Sequence, residues 1–237
     1  MSDYGVLYGV GVGPGDPELV TLRAVKYLSR AKVVFAASST KNDYSRSLAA
    51  AGPHLAEDAE VVRLGFPMTR DRSELAAAWR ENASRVEETL RAGKDSAFLT
   101  LGDPMLYSTF GYLLEELRKT MPEAMVRIAP GITSLQEAAA KSETILAKSA
   151  ETVAISSGLT DMDKFKDLAG TADTTVMLKA YRNFEEIRRT VTEIGRDKDA
   201  VFATRLGLRG ETIVSGLENV SETPHYLSLI ILPAKKQ

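Results

Sequence analysis

Three short segments carry residue types suited to holding a small molecule through the main chain. The first is Gly9-Val10-Gly11-Val12-Gly13-Pro14-Gly15-Asp16-Pro17, where closely spaced glycines lack Cβ atoms and let a ligand approach the backbone. It departs from the dinucleotide fingerprint. Counted from Gly11, Asp16 stands where the third glycine of G-x-G-x-x-G belongs, and Pro14 removes an amide that could bind phosphate. The second segment is Leu101-Gly102-Asp103-Pro104, followed by Met105-Leu106-Tyr107-Ser108-Thr109-Phe110, and the third is Ala129-Pro130-Gly131-Ile132-Thr133-Ser134. Each also has a purely structural reading, because Asp16 with Pro17, Asp103, and Thr133 or Ser134 are ordinary ways to start a helix. What favours a ligand is their common position, just beyond the carboxyl ends of strands in an open α/β sheet.

Other chemistry is excluded by what the chain lacks. It has no cysteine, which removes disulfides, thiolate nucleophiles and cysteine-bound zinc together. His54 and His225 are the only histidines; they are too few for a metal site and read as surface or hydrogen-bonded groups, so no metal is expected. Neither a P-loop nor a G-x-S-x-G elbow occurs.

The elements that must position these loops alternate between strands and helices. Strands are expected at 6–12, 33–37, 61–64, 96–101, 126–129, 152–156, 175–179 and 201–204. Between them run helices at 18–31, with Leu19, Leu22, Val25 and Leu28 on one face, and at 108–119, with Phe110, Leu113, Leu114 and Leu117. Leu75, Trp79, Val86 and Leu90 mark a further helix, and 184–194 another. This βα alternation implies an α/β fold with a largely parallel sheet. The break at Thr120-Met121-Pro122-Glu123 suggests two domains, 1–119 and 120–237. Thr212–Ser215 and Leu227–Leu232 follow closely with no helix pattern between them, so the C-terminal sheet should be mixed.

Thirty basic against thirty-two acidic residues give a formal charge of −2, so no global field recruits nucleic acid or a membrane surface. No apolar run approaches the roughly 20 residues of a membrane helix, and Met1-Ser2-Asp3-Tyr4 lacks the basic stretch of an export signal. A cytoplasmic protein is the expectation.

The order and wording of the three segments resemble the tetrapyrrole methylase family, whose members carry V-G-x-G-P-G-D-P, G-D-P and P-G-[IV]-[ST]-S, and the resemblance spans the whole chain. Gly102 to Phe110, Val176-Met177-Leu178-Lys179 and Thr204-Arg205-Leu206-Gly207 are similar to the members that methylate carbon 20 of precorrin-2 or cobalt-precorrin-2. The resemblance implies two α/β/α domains with S-adenosylmethionine in the cleft between them, a homodimer, and a reduced tetrapyrrole as methyl acceptor. The alternatives are another tetrapyrrole position, another acceptor, or a domain that binds without turnover. Carried over by position, the cofactor would touch Pro14, Gly102, Asp103, Leu106, Thr133, Ser134, Lys179 and Ala203, with Ser108, Thr109 and Tyr226 nearby. No residue is assigned as a catalytic base.

A macrocycle fringed with carboxylates needs cations gathered locally, since the chain as a whole supplies none in excess. Lys179 and Arg182 follow one strand and Arg205 and Arg209 another, so these four are the candidate substrate contacts; Arg70 and Arg72 form a further pair after an earlier strand.

Overall fold

A computed structural model of the chain describes residues 4–39, 45–67, 69, 71–221 and 223–235. They form two compact units, Met1–Thr133 and Ser134–Gln237, each built on a five-stranded sheet.

In the first unit the strands are β1 (Leu7–Gly11), β2 (Val33–Ser39), β3 (Glu60–Phe66), β4 (Ser96–Thr100) and β5 (Val126–Ala129). They lie in the order β3-β2-β4-β1-β5, and every pairing is parallel. Side chains alternate between two cores, as a period of two requires. Tyr8, Val10, Val34, Ala36, Ala97 and Leu99 pack on one side with Ala24 and Leu28 of α1 (Leu22–Leu28) and Ala50 and Ala51 of α2 (Arg46–Ala51). Leu7, Val33, Phe35, Leu64 and Phe98 face the other side. There they meet Val86 and Leu90 of α3 (Arg72–Arg91) and Phe110, Leu113 and Leu117 of α4 (Thr109–Thr120). Helices on both faces explain why the central strands read as continuous apolar runs.

Two expectations need correction. The helix placed at 18–31 is a 3₁₀ turn over Pro17–Leu19 followed by α1, because the Thr21 hydroxyl accepts from Ala24 N and starts a new helix. The restart turns Leu22 outward, leaving it 89% exposed, while Val20 and Ala24 enter the core. The domain boundary at 119/120 falls one strand early: β5 pairs with β1 and completes the first sheet, and the compact units divide after Thr133. Pro122 follows the end of α4, and the end of a helix is not the end of a sheet.

The second unit holds β6 (Val153–Ser157), β7 (Thr174–Leu178), β8 (Val201–Thr204), β9 (Thr212–Ser215) and β10 (Ser228–Leu232), ordered β6-β7-β10-β8-β9. The β6–β7 pair is parallel and the others are antiparallel, the mixed sheet expected. Its helices are α5 (Ser134–Lys141), α6 (Met162–Thr171) and α7 (Phe184–Glu193). Phe165, Ile187 and Val191 bury one sheet face through Met177, Phe202, Ile230 and Leu232. Because β10 runs antiparallel to both β7 and β8, these two strands point the same way and deliver their following loops to one edge. Arg196, only 7% exposed, donates to the carbonyls of Ala169, Asp173, Leu232 and Pro233, closing the opposite end of the sheet.

Among the described residues no helix is long and apolar enough to cross a membrane.

Candidate active site

In the first unit β4, β1 and β5 are neighbours, so the three glycine segments leave the same edge side by side. The chain passes from β1 to β2 on one side and from β4 to β5 on the other. This makes the β4/β1 edge a topological switch point, where loops diverge and a ligand can enter. Here the loops touch backbone to backbone. Val12 N donates to Thr100 O at 2.9 Å and Gly102 N to Gly13 O at 2.8 Å, so Gly13 and Gly102 form an isolated bridge. A Cβ on Gly11 would lie 2.6 Å from both Gly102 O and Gly131 N, and a Cβ on Gly131 would collide with Gly102 O. Three chains can meet this closely only where side chains are absent.

Asp103 joins two of these loops. One carboxylate oxygen accepts from Met105 N at 2.8 Å and the other from Gly131 N at 2.9 Å, across to the loop after β5. It does not cap α4, which is capped by the Ser108 hydroxyl on Phe110 N at 3.0 Å. Asp16 caps the 3₁₀ turn through Glu18 N. Pro14 is buried, Leu106, Thr109 and Thr133 are half-buried, and Thr133 Cα lies 3.8 Å from where a Gly102 Cβ would stand, with no other atom within 4 Å. That open flank of Gly102 leaves room for a small molecule to lie on the loop.

In the second unit the edge at the ends of β7 and β8 is built from side chains. Lys179, with φ of +57°, holds its ammonium 5.8 Å from the Tyr226 ring centroid. Tyr226 meets Tyr181 edge to face at 5.5 Å, and Arg182 donates from Nε to the Tyr181 hydroxyl at 2.7 Å. Arg205, with φ of +54°, donates its amide to Leu227 O at 3.0 Å. Ala203 is buried opposite Leu229. Among the described residues no carboxylate forms an ion pair with Lys179, Arg182, Arg205 or Arg209, whereas Lys141, Lys166 and Arg188 are paired. Left-handed backbone at non-glycine residues costs about 1–2 kcal/mol each, and such strain gathers at binding sites.

Beside Arg205 a cavity of about 60 Å³ is lined by Thr204, Asn219, Thr223 and His225, among others. Thr204 and Ser228 oppose each other across β8 and β10, and their buried hydroxyls find no hydrogen-bond partner among the described residues. A buried hydroxyl without a partner costs about 1–3 kcal/mol. A wider hollow of about 450 Å³ runs along α5 past Ala139, Ile145 and Leu146 and includes no residue of the candidate site.

The structure therefore brings Pro14, Gly102, Asp103, Leu106, Ser108, Thr109 and Thr133 to one edge of the first sheet, and Lys179, Arg182, Ala203, Arg205 and Tyr226 to one edge of the second. Ser134 is the first residue of α5. Arg72 is exposed at the start of α3; Arg70 lies outside the described residues. His54 bonds Pro17 O at 3.2 Å and His225 accepts from Leu227 N. The Asp103 to Gly131 bond and the Thr204–Ser228 pair were not visible in the sequence, because each joins residues brought together only by sheet register.

A family model described as Tetrapyrrole (Corrin/Porphyrin) Methylases matches residues 6–220. The chain belongs to this family. It is 30% identical over 230 residues to the cobalt-precorrin-2 C(20)-methyltransferase of Salmonella typhimurium, covering 96% of each chain. It is also 29% identical over 248 residues to the precorrin-2 C(20)-methyltransferase of a Sinorhizobium species, covering 100% and 99%. Among solved structures, the uroporphyrin-III C-methyl transferase of Thermus thermophilus complexed with S-adenyl homocysteine is similar to this methylase with a TM-score of 0.65, at 27% identity and with 96% and 97% covered.

Proposed function

We propose that this methylase transfers a methyl group from S-adenosylmethionine to carbon 20 of precorrin-2 or its cobalt complex. The observation that carries the proposal is the end-to-end match to C(20)-methyltransferases, which leaves no large part of the chain outside the likeness.

S-adenosylmethionine supplies an electrophilic methyl group. The chain's own task is to hold donor and acceptor near contact and to exclude water, which for an in-line displacement supplies most of what catalysis needs. The residues assigned to the cofactor are Pro14, Gly102, Asp103, Leu106, Ser108, Thr109 and Thr133 of the first unit and Ser134, Lys179, Ala203 and Tyr226 of the second. The loop backbones offer amides and carbonyls in a fixed arrangement, because the Gly11, Gly102 and Gly131 contacts and the two Asp103 bonds leave them little freedom. Lys179, Arg182, Arg205 and Arg209 receive the acetate and propionate carboxylates. Among the described residues they form no ion pair with a carboxylate, which keeps their charge available in a chain of net charge −2. Neither thiolate nor metal is required, and the electron-rich acceptor carbon needs no covalent nucleophile. The working form is a cytoplasmic homodimer, which sedimentation at assay concentrations tests: a monomer with full activity would remove that part.

Incubation with S-adenosylmethionine and precorrin-2, with and without cobalt, followed by mass measurement, tests the reaction. A product heavier by one methylene in either arm is expected, and unchanged substrate in both would overturn the proposal.

A further inference from the structure

The loop after β8 carries Arg205 and Arg209, and it is a tight turn with few backbone bonds of its own. Arg205, Gly207 and Gly210 all have left-handed φ, of +54°, +69° and +82°. Its internal backbone bonds are Leu208 N to Arg205 O at 2.9 Å and Glu211 N to Leu208 O at 3.1 Å. The Arg205 guanidinium lies over the turn, with Nη1 2.9 Å from where a Gly210 Cβ would stand.

Side-chain bonds tie the loop further. Glu211 accepts the Gly207 amide at 2.6 Å through Oε2. Both its carboxylate oxygens accept from Lys141 Nζ, at 2.7 and 2.8 Å. Lys141 is the last residue of α5 and also pairs at 3.1 Å with Glu137, one turn earlier and buried. The Lys141 and Glu211 side chains are 36% and 28% exposed, more shielded than most ion pairs of this chain. Burial pushes the Glu211 carboxyl up, yet Lys141 and the Gly207 amide together hold it below the usual range.

We infer that Lys141 and Glu211 are positioning residues that clamp the 205–210 loop to the end of α5, and so set where its arginines meet an anionic substrate. This rests on the reading that Arg205 or Arg209 grips a tetrapyrrole carboxylate. Neither Lys141 nor Glu211 touches the substrate: Glu211 is occupied by Gly207 and Lys141, and Lys141 by two carboxylates. A purely structural ion pair would affect melting and leave substrate affinity alone, whereas a clamp acts selectively on the substrate.

The test compares Glu211→Ala, Glu211→Gln, Lys141→Met and Lys141→Arg with Arg205→Ala and Arg209→Ala. The readouts are KM for the tetrapyrrole, kcat, calorimetric affinity for S-adenosylhomocysteine, and hydrogen exchange at the Gly207 amide. Glu211→Ala, which removes both bonds, should raise the tetrapyrrole KM roughly tenfold with kcat within about twofold, and Glu211→Gln and Lys141→Met should raise it roughly threefold. Lys141→Arg should restore the wild-type value. Gly207 exchange should quicken in Glu211→Ala while S-adenosylhomocysteine affinity stays unchanged. A raised KM in Arg205→Ala or Arg209→Ala with a normal KM in folded Glu211→Ala overturns the clamp alone; normal values in all three overturn the reading beneath it as well. A raised KM in Glu211→Ala with normal values in both arginine variants also overturns the inference, since the arginines that the clamp is said to position would then not meet the substrate. Loss of S-adenosylhomocysteine affinity in step with KM would also overturn the inference, since the effect would then be general.

Discussion

At the strand ends of the first unit the loops are held by backbone meeting backbone, at Gly11, Gly13, Gly102 and Gly131, with the Asp103 side chain tying two of them. At the strand ends of the second unit backbone bonds from Ala180 and Arg205 are joined by side-chain contacts: Tyr226 under Lys179, Tyr181 beside Arg182, and Glu211 on the Gly207 amide. The first edge offers fixed amides and carbonyls with little formal charge. The second offers cations that, among the described residues, pair with no carboxylate. On the proposed reading, the first edge suits a donor recognised by shape and hydrogen bonds, and the arginines of the second suit an acceptor recognised by charge. The two edges should also fail differently when altered.

The largest effect is expected where three backbones meet. Gly131→Val places its Cβ against Gly102 O and should cost about 1–3 kcal/mol of stability, with S-adenosylhomocysteine affinity reduced roughly a hundredfold. Thermal melting and calorimetry check both. A variant with wild-type melting and affinity would mean the loop contact is not what shapes the donor edge.

Next comes Asp103→Ala. It leaves the Met105 and Gly131 amides without their acceptor but keeps the glycine contacts, so the loss of S-adenosylhomocysteine affinity should be smaller, roughly tenfold. Unchanged affinity in a folded variant would reduce Asp103 to a loop tie with no part in binding.

The second edge should respond in the opposite sense. Arg205→Ala should raise the tetrapyrrole KM roughly tenfold or more, a loss of about 1.5–3 kcal/mol for a charged hydrogen bond, while S-adenosylhomocysteine binds as before. Steady-state kinetics with each substrate varied in turn decides this. Equal losses for donor and acceptor would erase the distinction between the edges.

The smallest effect is on stability against pH. The Glu211 carboxyl is held below its ordinary range, so its contribution is present at neutral pH and is lost as pH falls through the lowered folded value. The Lys141 ammonium is raised by Glu211, so its share persists below the ordinary lysine range and is lost only as pH rises through the raised value. Glu211→Gln should therefore lower stability by about 0.5–1 kcal/mol at neutral pH, after allowance for solvent screening. The difference from wild type should close in acid. Melting curves across acid to neutral pH check it; a gap that widened on acidification would reverse the assignment.

The strands were legible because runs such as Val33–Ala36 and Leu229–Leu232 are buried on both faces and carry no competing helical period. The glycine loops were legible because so few residue types permit that backbone. Leu22 was misplaced because the apolar spacing from Leu19 to Leu28 ignores the helix restart at Thr21, which depends on one hydroxyl. The domain boundary was misplaced because Pro122 breaks a helix, and nothing in the segment tells that β5 pairs back to β1. α6 offers only Met162, Phe165 and Ala169 to its core, too thin a pattern to stand out. Asp103 read as a local cap because its second acceptor bond goes to Gly131, 28 residues on, and is fixed by sheet register rather than by neighbours.

The most direct test of the central claim is the position of the transferred methyl. Precorrin-2 and its cobalt form, each incubated with the chain and S-adenosylmethionine labelled in its methyl carbon, should yield from at least one of them a product whose labelled resonance couples to carbon 20. A label at any other carbon, or no labelled product from either form, would contradict the assignment.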